Sequence, residues 1–141
     1  MNSSSFPDVN VWVALALNDH THHRSAWKWW EEDQSDVIAF SRFTQLGLLV
    51  VNDFCHYARQ SLSMRNAWAV YDDLAEDERM GFVAEPPNIE QPFRKYSSTR
   101  FASPNVWADA YLAAIAQELR AALITFDAAL ARRVPSSVLL A

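Results

Sequence analysis

Glycine is scarce in this chain of 141 residues, with only Gly47 and Gly81 present. Loops that cradle phosphate in nucleotide-binding proteins need several closely spaced glycines, and none can be built from these two. Cysteine is scarcer still. Cys55 stands alone, which excludes an internal disulfide and makes a reducing cytoplasm the expected setting. The longest strictly apolar stretches, such as Val11 to Leu17, are far too short to span a bilayer, so no membrane role is expected. The start, Met1-Asn2-Ser3-Ser4-Ser5, has neither the basic nor the apolar region of a signal peptide. Positive charge is also lacking: 12 Lys and Arg against 17 Asp and Glu give a net charge of −5. Composition therefore does not advertise extended binding to a polyanion, and any such role would need metal ions or a local basic patch.

What is present points to a packed core. Half of the residues are hydrophobic, 21% are charged and six are Trp, which argues against disorder and fits one domain over residues 1–141. Strands are expected at Ser4–Asp8, Asp36–Phe40, Met80–Val83, Ala121–Thr125 and Ser137–Leu140. Helices are expected at Val11–Leu17, Arg24–Glu32, from Ser41 onward, after Ser63, from Ser103-Pro104 to about Arg120, and at Asp127–Arg133. Residues 85–102 read as loop around a short helix. Phe43, Leu46, Gly47, Val50, Val51, Phe54, Cys55 and Ala58 recur at steps of three and four, the spacing of one helical face, which places Cys55 inward. Met64, Ala67, Trp68, Tyr71 and Leu74 mark the expected buried side of the next helix. Alternating strands and helices indicate an α/β domain with a mainly parallel sheet.

Four polar side chains stand at the junctions of these apolar segments: Asp8, Gln45, Asp109 and Asp127. A carboxylate among apolar residues loses hydration and requires a cation, a donor or a proton. Several converging would form a hard oxygen site suited to Mg²⁺ or Mn²⁺. Asp8 falls where the first strand turns into a helix, so both a helix cap and a ligand fit it. Asp127 has the same two roles open, with the Thr125 hydroxyl nearby. Asp109, counted from a cap at Ser103, lies in the second helical turn amid apolar neighbours, where an acid has little structural purpose. Gln45 also counts into a second turn, where it can orient water or simply hydrogen-bond at a helix edge.

The order of these segments resembles the PIN domain, and specifically VapC-type toxins of toxin–antitoxin modules. Pro7-Asp8-Val9-Asn10-Val11-Trp12-Val13-Ala14-Leu15 is similar to that family's opening strand, which ends in Asp ahead of an apolar helix. Asp109-Ala110-Tyr111-Leu112-Ala113-Ala114-Ile115-Ala116 resembles its third acidic segment, and Leu123-Ile124-Thr125-Phe126-Asp127 its closing Thr-x-Asp. The family's second acid, usually Glu, falls on Gln45. The resemblance implies a three-layer sandwich, a central mainly parallel sheet flanked by helices. It also implies a metal-dependent endoribonuclease acting on RNA, inhibited by a small cognate antitoxin and forming a homodimer. Asp8 and Asp109 would be the main Mg²⁺ or Mn²⁺ ligands, with Asp127 a further ligand or an orienter of bound water. A neutral Gln45 removes one negative charge and weakens a second metal position. The rivals are a PIN-fold binding module whose chemistry has faded and a dehalogenase-type phosphatase. The phosphatase normally needs an acid two residues after its nucleophile, where Asn10 stands.

Other features have simpler readings. His20-Thr21-His22-His23 lacks a Cys or paired carboxylate at ligand spacing and reads as a solvated loop. Trp27, Trp29 and Trp30 cannot all face one core, so one is expected at the surface or an interface. Arg42, Arg59, Arg65, Arg94, Lys95 and Arg100 are candidates for phosphate contacts, with ordinary solvated charge as the alternative. Glu76-Asp77-Glu78 reads as a solvated helix end.

Overall fold

The computed structural model describes residues 3–54, 64–99 and 105–141. The elements, in chain order, are β1 (Ser4–Pro7), α1 (Val9–Ala16), α2 (His23–Glu32), β2 (Val37–Ser41), α3 (Arg42–Phe54), α4 (Met64–Ala75), β3 (Met80–Val83), α5 (Glu90–Ser97), α6 (Val106–Leu119), β4 (Ala122–Thr125), α7 (Ala128–Arg133) and β5 (Ser137–Leu139). The strands form one five-stranded sheet in the order β3-β2-β1-β4-β5, with every pairing parallel. Strand alternation divides the core in two. Ile38, Phe40 and Ile124 point to one face, where α1, α2, Leu48 of α3 and Leu74 of α4 cover them. Phe6, Ala39 and Leu123 point to the other, against α5, α6 and α7. The result is the expected α/β sandwich.

The strand order creates a particular place on this sheet. From β1 the chain goes to β2 on one side, while β4 closes on the other, so the order reverses between β1 and β4. Crevices outside the carboxyl ends of strands at such reversals are the usual ligand positions of open parallel sheets. Register brings the two ends together: Pro7 pairs with Ile124, and the Asp8 amide continues the ladder by donating to the Ile124 carbonyl at 2.9 Å.

Several elements differ from expectation. The N-terminus of α3 is capped as predicted by Ser41, whose Oγ accepts from the Thr44 amide at 3.1 Å while Thr44 Oγ1 accepts from the Ser41 amide at 2.9 Å. This is a reciprocal capping box with Thr in place of the usual Glu or Gln. Yet the stripe read as the buried face of α3 is divided: Leu46, 58% exposed, and Val50 face outward, while Phe43 and Gly47 are half-buried. The fully buried positions are Thr44, Gln45 and Leu48, where Thr44 is satisfied within the cap and Gln45 by Arg42. Trp68 is likewise exposed while Ala67 and Leu74 are buried as expected. Cys55, Ala58, Ser63, Arg59, Arg100 and the Ser103-Pro104 helix start lie outside the described residues.

The tryptophan expectation is overturned. Trp29 and Trp30 are buried, and Trp27 is half-buried with its indole N–H donating to the Leu15 carbonyl at 3.1 Å. Packing of α2 against both the sheet and the C-terminal turn of α1 lets rings two positions apart find cover. Asp77 is no free helix end either: it receives both Nε and Nη2 of Arg79, at 3.0 and 2.9 Å, and this ion pair holds its carboxyl below the usual range. Arg79 extends to the Trp30 and Asp33 carbonyls, tying the end of α2 to the start of β3.

Gly47 fixes how closely α3 approaches α1. A Cβ at this position would stand 2.8 and 2.9 Å from the two γ-carbons of Val9. Gly47→Ala gains about 1 kcal/mol of helix propensity but forces overpacking that typically costs about 1–3 kcal/mol. Urea denaturation should show a net loss, and Val9→Ala should restore much of it in the double variant. An additive double variant would mean that the two helices do not constrain each other.

Candidate active site

Asp8 follows β1 directly and caps α1. Its Oδ1 accepts from the Val11 amide at 3.2 Å, and the side chain is 5% exposed. Its Oδ2 accepts a short hydrogen bond from the hydroxyl of Thr125, the last residue of β4, which is completely buried. The same hydroxyl oxygen accepts from the Asp127 amide at 3.0 Å. Thr125 therefore sits between two of the predicted acids, holding one by its side chain and the other by its backbone.

Asp127 is exposed and caps α7, its Oδ1 accepting from the Ala129 and Leu130 amides at 2.9 and 3.1 Å. Asp109 is half-buried on α6. Because that helix begins at Val106, Asp109 belongs to its first turn, not the second as the sequence count suggested. An acid there is favoured by the helix dipole, which gives Asp109 a structural reason as well as a chemical one. Gln45 is buried in the fourth position of α3, with Oε1 accepting from Arg42 Nη1 at 2.5 Å. The hydrogen-bonded reading of Gln45 is thus realised, and Arg42 also lies over the Phe82 ring at 4.6 Å.

The three acids are linked pairwise, Asp8 to Asp127 through Thr125, and Asp109 by charge to each of the other two. Burial pushes the Asp8 carboxyl above its ordinary range; hydrogen bonds from Thr125, Val11 and Asn10 oppose this, and the charge of Asp109 adds to it. Asp109 is also raised, first by burial and then by the charge of Asp127, with Arg133 pulling the other way. Arg133, on the last turn of α7, carried no signal in the sequence beyond its distance from Asp127. Tyr111, two residues past Asp109, donates to Glu85 Oε1 at 2.7 Å, and burial together with that carboxylate pushes its phenol up to about 12.

The donor set suits a hard divalent cation in chemistry. Asp8 and Asp109 are mutually repelling oxygen donors, and among the described residues neither forms an ion pair. No group of three His, Cys, Asp or Glu among the described residues stands ready-made to hold a metal ion. That applies to His20, His22 and His23 as well: His22 stacks on Phe126 at 4.4 Å and His23 Nδ1 meets the Ala14 carbonyl at 2.7 Å. The residues therefore fit a site founded on Asp8 and Asp109, with Asp127 as an outlying oxygen.

The raised carboxyls have a consequence for stability. A pKa above the unfolded value means that the folded state holds its proton more tightly. Asp8 and Asp109 thus favour folding below the unfolded carboxylate range and lose that contribution as pH climbs through their folded pKa values. Asn caps a helix as well as Asp does. In chelator, Asp8→Asn should therefore be more stable than wild type at neutral pH, and its stability should change less between acid and neutral conditions. Denaturation curves across that range check this; an unaltered pH slope with lower neutral stability would contradict it.

Comparison with known proteins fits this geometry. Residues 5–134 match the PIN domain family. Ribonuclease VapC41 of Mycobacterium tuberculosis is 38% identical over 128 residues, covering 86% of this chain and 88% of that protein. Ribonuclease VapC39 of the same organism is 27% identical over 125 residues, covering 88% of each. Among solved structures, Mycobacterium tuberculosis VapC20, a sarcin-ricin loop cleaving toxin, superposes with a TM-score of 0.66 at 17% identity, covering 93% of this chain and 95% of that one. VapBC2 from Rickettsia felis, bound to a promoter DNA fragment, gives 0.66 at 13% identity, with 96% of each chain covered. At such identities these two structures support the fold alone. With a buried Asp at the sheet's reversal point, two further acids beside it and a family match over nearly the whole chain, this protein belongs to the PIN-domain family and is closely related to the VapC-type toxin ribonucleases of toxin–antitoxin systems.

Proposed function

We propose that this chain is a metal-dependent endoribonuclease of VapC type, hydrolysing RNA phosphodiester bonds and restrained by a small cognate antitoxin. The observation that carries the reading is the buried Asp8, locked by Thr125 and Val11 at the β1–β4 reversal and electrostatically coupled to Asp109. Asp8 and Asp109 would hold Mg²⁺ or Mn²⁺, with Asp127 a further ligand or an orienter of bound water. A cation held there supplies Lewis acidity toward a phosphodiester oxygen and lowers the pKa of water.

The chain's own residues set the conditions for that chemistry. Thr125 and the Val11 amide fix both Asp8 oxygens, so little reorganisation is needed on binding. Asp127 Oδ1 is committed to the first turn of α7, and the residue is exposed. Gln45, bonded to Arg42, contributes an amide where a carboxylate would add charge. This favours a single tightly held cation over two.

Exposed apolar side chains support partner binding. Leu46 and Val50 are one turn apart on α3, and Trp68 and Trp107 are exposed on α4 and α6. We assign these exposed positions on α3, α4 and α6 to contacts with a second copy of the chain and with the antitoxin. Among the described residues, no helix is long and apolar enough to cross a membrane. The second reading, a PIN-fold module with faded chemistry, draws on Gln45 and on the lack of a ready-made three-acid cage among the described residues.

RNA cleavage decides between them. With Mn²⁺ and a total-RNA pool, wild type should cut, chelator should stop it, and Asp8→Asn and Asp109→Asn should each fall to the level seen in chelator. Cleavage that survives both substitutions would reject the site, and a wild type that neither cuts RNA nor binds Mn²⁺ would favour the binding module.

A further inference from the structure

Along the carboxyl edge of the sheet the strands stand in the order β3, β2, β1, β4. Asp127 lies two residues past the end of β4, Asp8 directly follows β1, Arg42 directly follows β2, and Phe82 is the penultimate residue of β3. Parallel register sets Ser4 of β1 opposite Val37 of β2, and Ser5 opposite Ile38. The same step, carried to the strand ends, sets Asp8 opposite Ser41, the residue before Arg42. Neighbouring strands lie about 5 Å apart. The helices that follow stay close as well, since a Cβ on Gly47 of α3 would stand 2.8 Å from a γ-carbon of Val9, the residue after Asp8. Arg42 and Asp8 thus occupy the same end of the sheet on adjacent strands.

Arg42 is exposed, and among the described residues it meets no carboxylate within ion-pair distance. Two contacts nonetheless hold its head group. Nη1 donates to Gln45 Oε1 at 2.5 Å, and Cζ lies 4.6 Å from the centre of the Phe82 ring, which is 47% exposed. Both contacts restrict a long side chain before any ligand arrives, and neither neutralises its charge. Gln45 decides the second point. A Glu at that position would form a charge-assisted pair with Arg42 and occupy its fork of N–H donors. The first turn of a helix also favours acids over cations, so α3 gains no stability from a charge of this sign at its first position. A braced guanidinium with unspent charge matches a phosphodiester, whose paired oxygens accept from that fork.

We propose that Arg42, braced by Gln45 and Phe82 at the carboxyl end of β2, binds the RNA backbone phosphate that flanks the scissile bond on the β3 side of the acid cluster. The inference rests on the ribonuclease reading above. It also gives the neutral residue at position 45 a purpose: Gln45 orients the guanidinium and leaves its charge for the substrate.

Binding of a fluorescent single-stranded oligoribonucleotide, measured in chelator across a salt series, tests this. Arg42→Gln should bind about tenfold more weakly at low salt. Its slope of log affinity against log salt should be shallower by about 0.7, the value for one lost phosphate contact on a single strand. Arg42→Lys keeps the charge and should restore the slope while recovering only part of the affinity, because the fork is lost. Lys28→Gln removes one charge from an exposed residue whose cavity includes Ser3, Ser4 and Ser5 at the opposite end of β1, and should leave the slope unaltered. With Mn²⁺ present, the cost of Arg42→Gln should fall on KM, with kcat within about threefold of wild type. An unaltered slope in Arg42→Gln, with only its melting temperature or its self-association reduced, would make Arg42 a brace or a protein contact and overturn the proposal. So would equal effects of Arg42→Gln and Lys28→Gln. Both of those results leave Mn²⁺-dependent cleavage by wild type intact, whereas a wild type that neither binds nor cuts RNA would remove the ribonuclease reading and this contact with it.

Discussion

The hydroxyl of Thr125 holds the carboxylate of Asp8 across the junction between two strands, and the geometry of the acid cluster depends on that bond. Parallel pairing of β1 with β4 delivers both residues to one end of the sheet, at the point where the strand order reverses. A buried hydroxyl needs a partner, and a buried carboxylate needs several. Each satisfies the other, while the Thr125 oxygen also receives the Asp127 amide. The position of Asp127, and through it the start of α7, is thereby tied to Asp8. Asp109 completes the group electrostatically, so that the unfavourable charge is concentrated where a divalent cation or a proton would relieve it.

Much of this was legible in the sequence because it depends on local patterns. The strands, the parallel α/β class and the capping ability of Asp8, Ser41 and Asp127 follow from apolar runs bounded by polar residues, and the structure shows each of them. Position within α6 was not legible, since it turned on whether Ser103 began the helix. One turn of difference moves Asp109 from an unexplained interior acid to one favoured by the helix dipole. The stripe on α3 held only in part, with Phe43 and Gly47 packed and Leu46 and Val50 exposed: apolar spacing identifies a face but not its partner. The face that packs inward carries Thr44 and Gln45, whose polar groups are satisfied by Ser41 and Arg42. The influence of Arg133 on Asp109 was not legible, because the two come from separate segments and meet only through the fold.

Charge organises the molecule at two scales. Overall acidity would disfavour a polyanion, and the acids are placed with Asp8 and Asp127 just past the carboxyl ends of β1 and β4 and Asp109 in the first turn of α6. Gln45 is buried and its amide oxygen accepts from Arg42, so that position carries no charge of its own. Apolar exposure on Leu46, Val50, Trp68 and Trp107 lies apart from the buried tryptophans of α2, which serve the core.

The most direct test of the account concerns the bridging hydroxyl. Thr125→Ser keeps it, whereas Thr125→Val keeps the shape and removes it. Mn²⁺ affinity and Mn²⁺-dependent RNA cleavage should be close to wild type in the serine variant. They should fall by about 10- to 100-fold in the valine variant, the usual cost of losing a group that orients a metal ligand. A valine variant that binds Mn²⁺ and cleaves RNA like wild type would show that Asp8 does not depend on Thr125, and the account would be wrong at its centre.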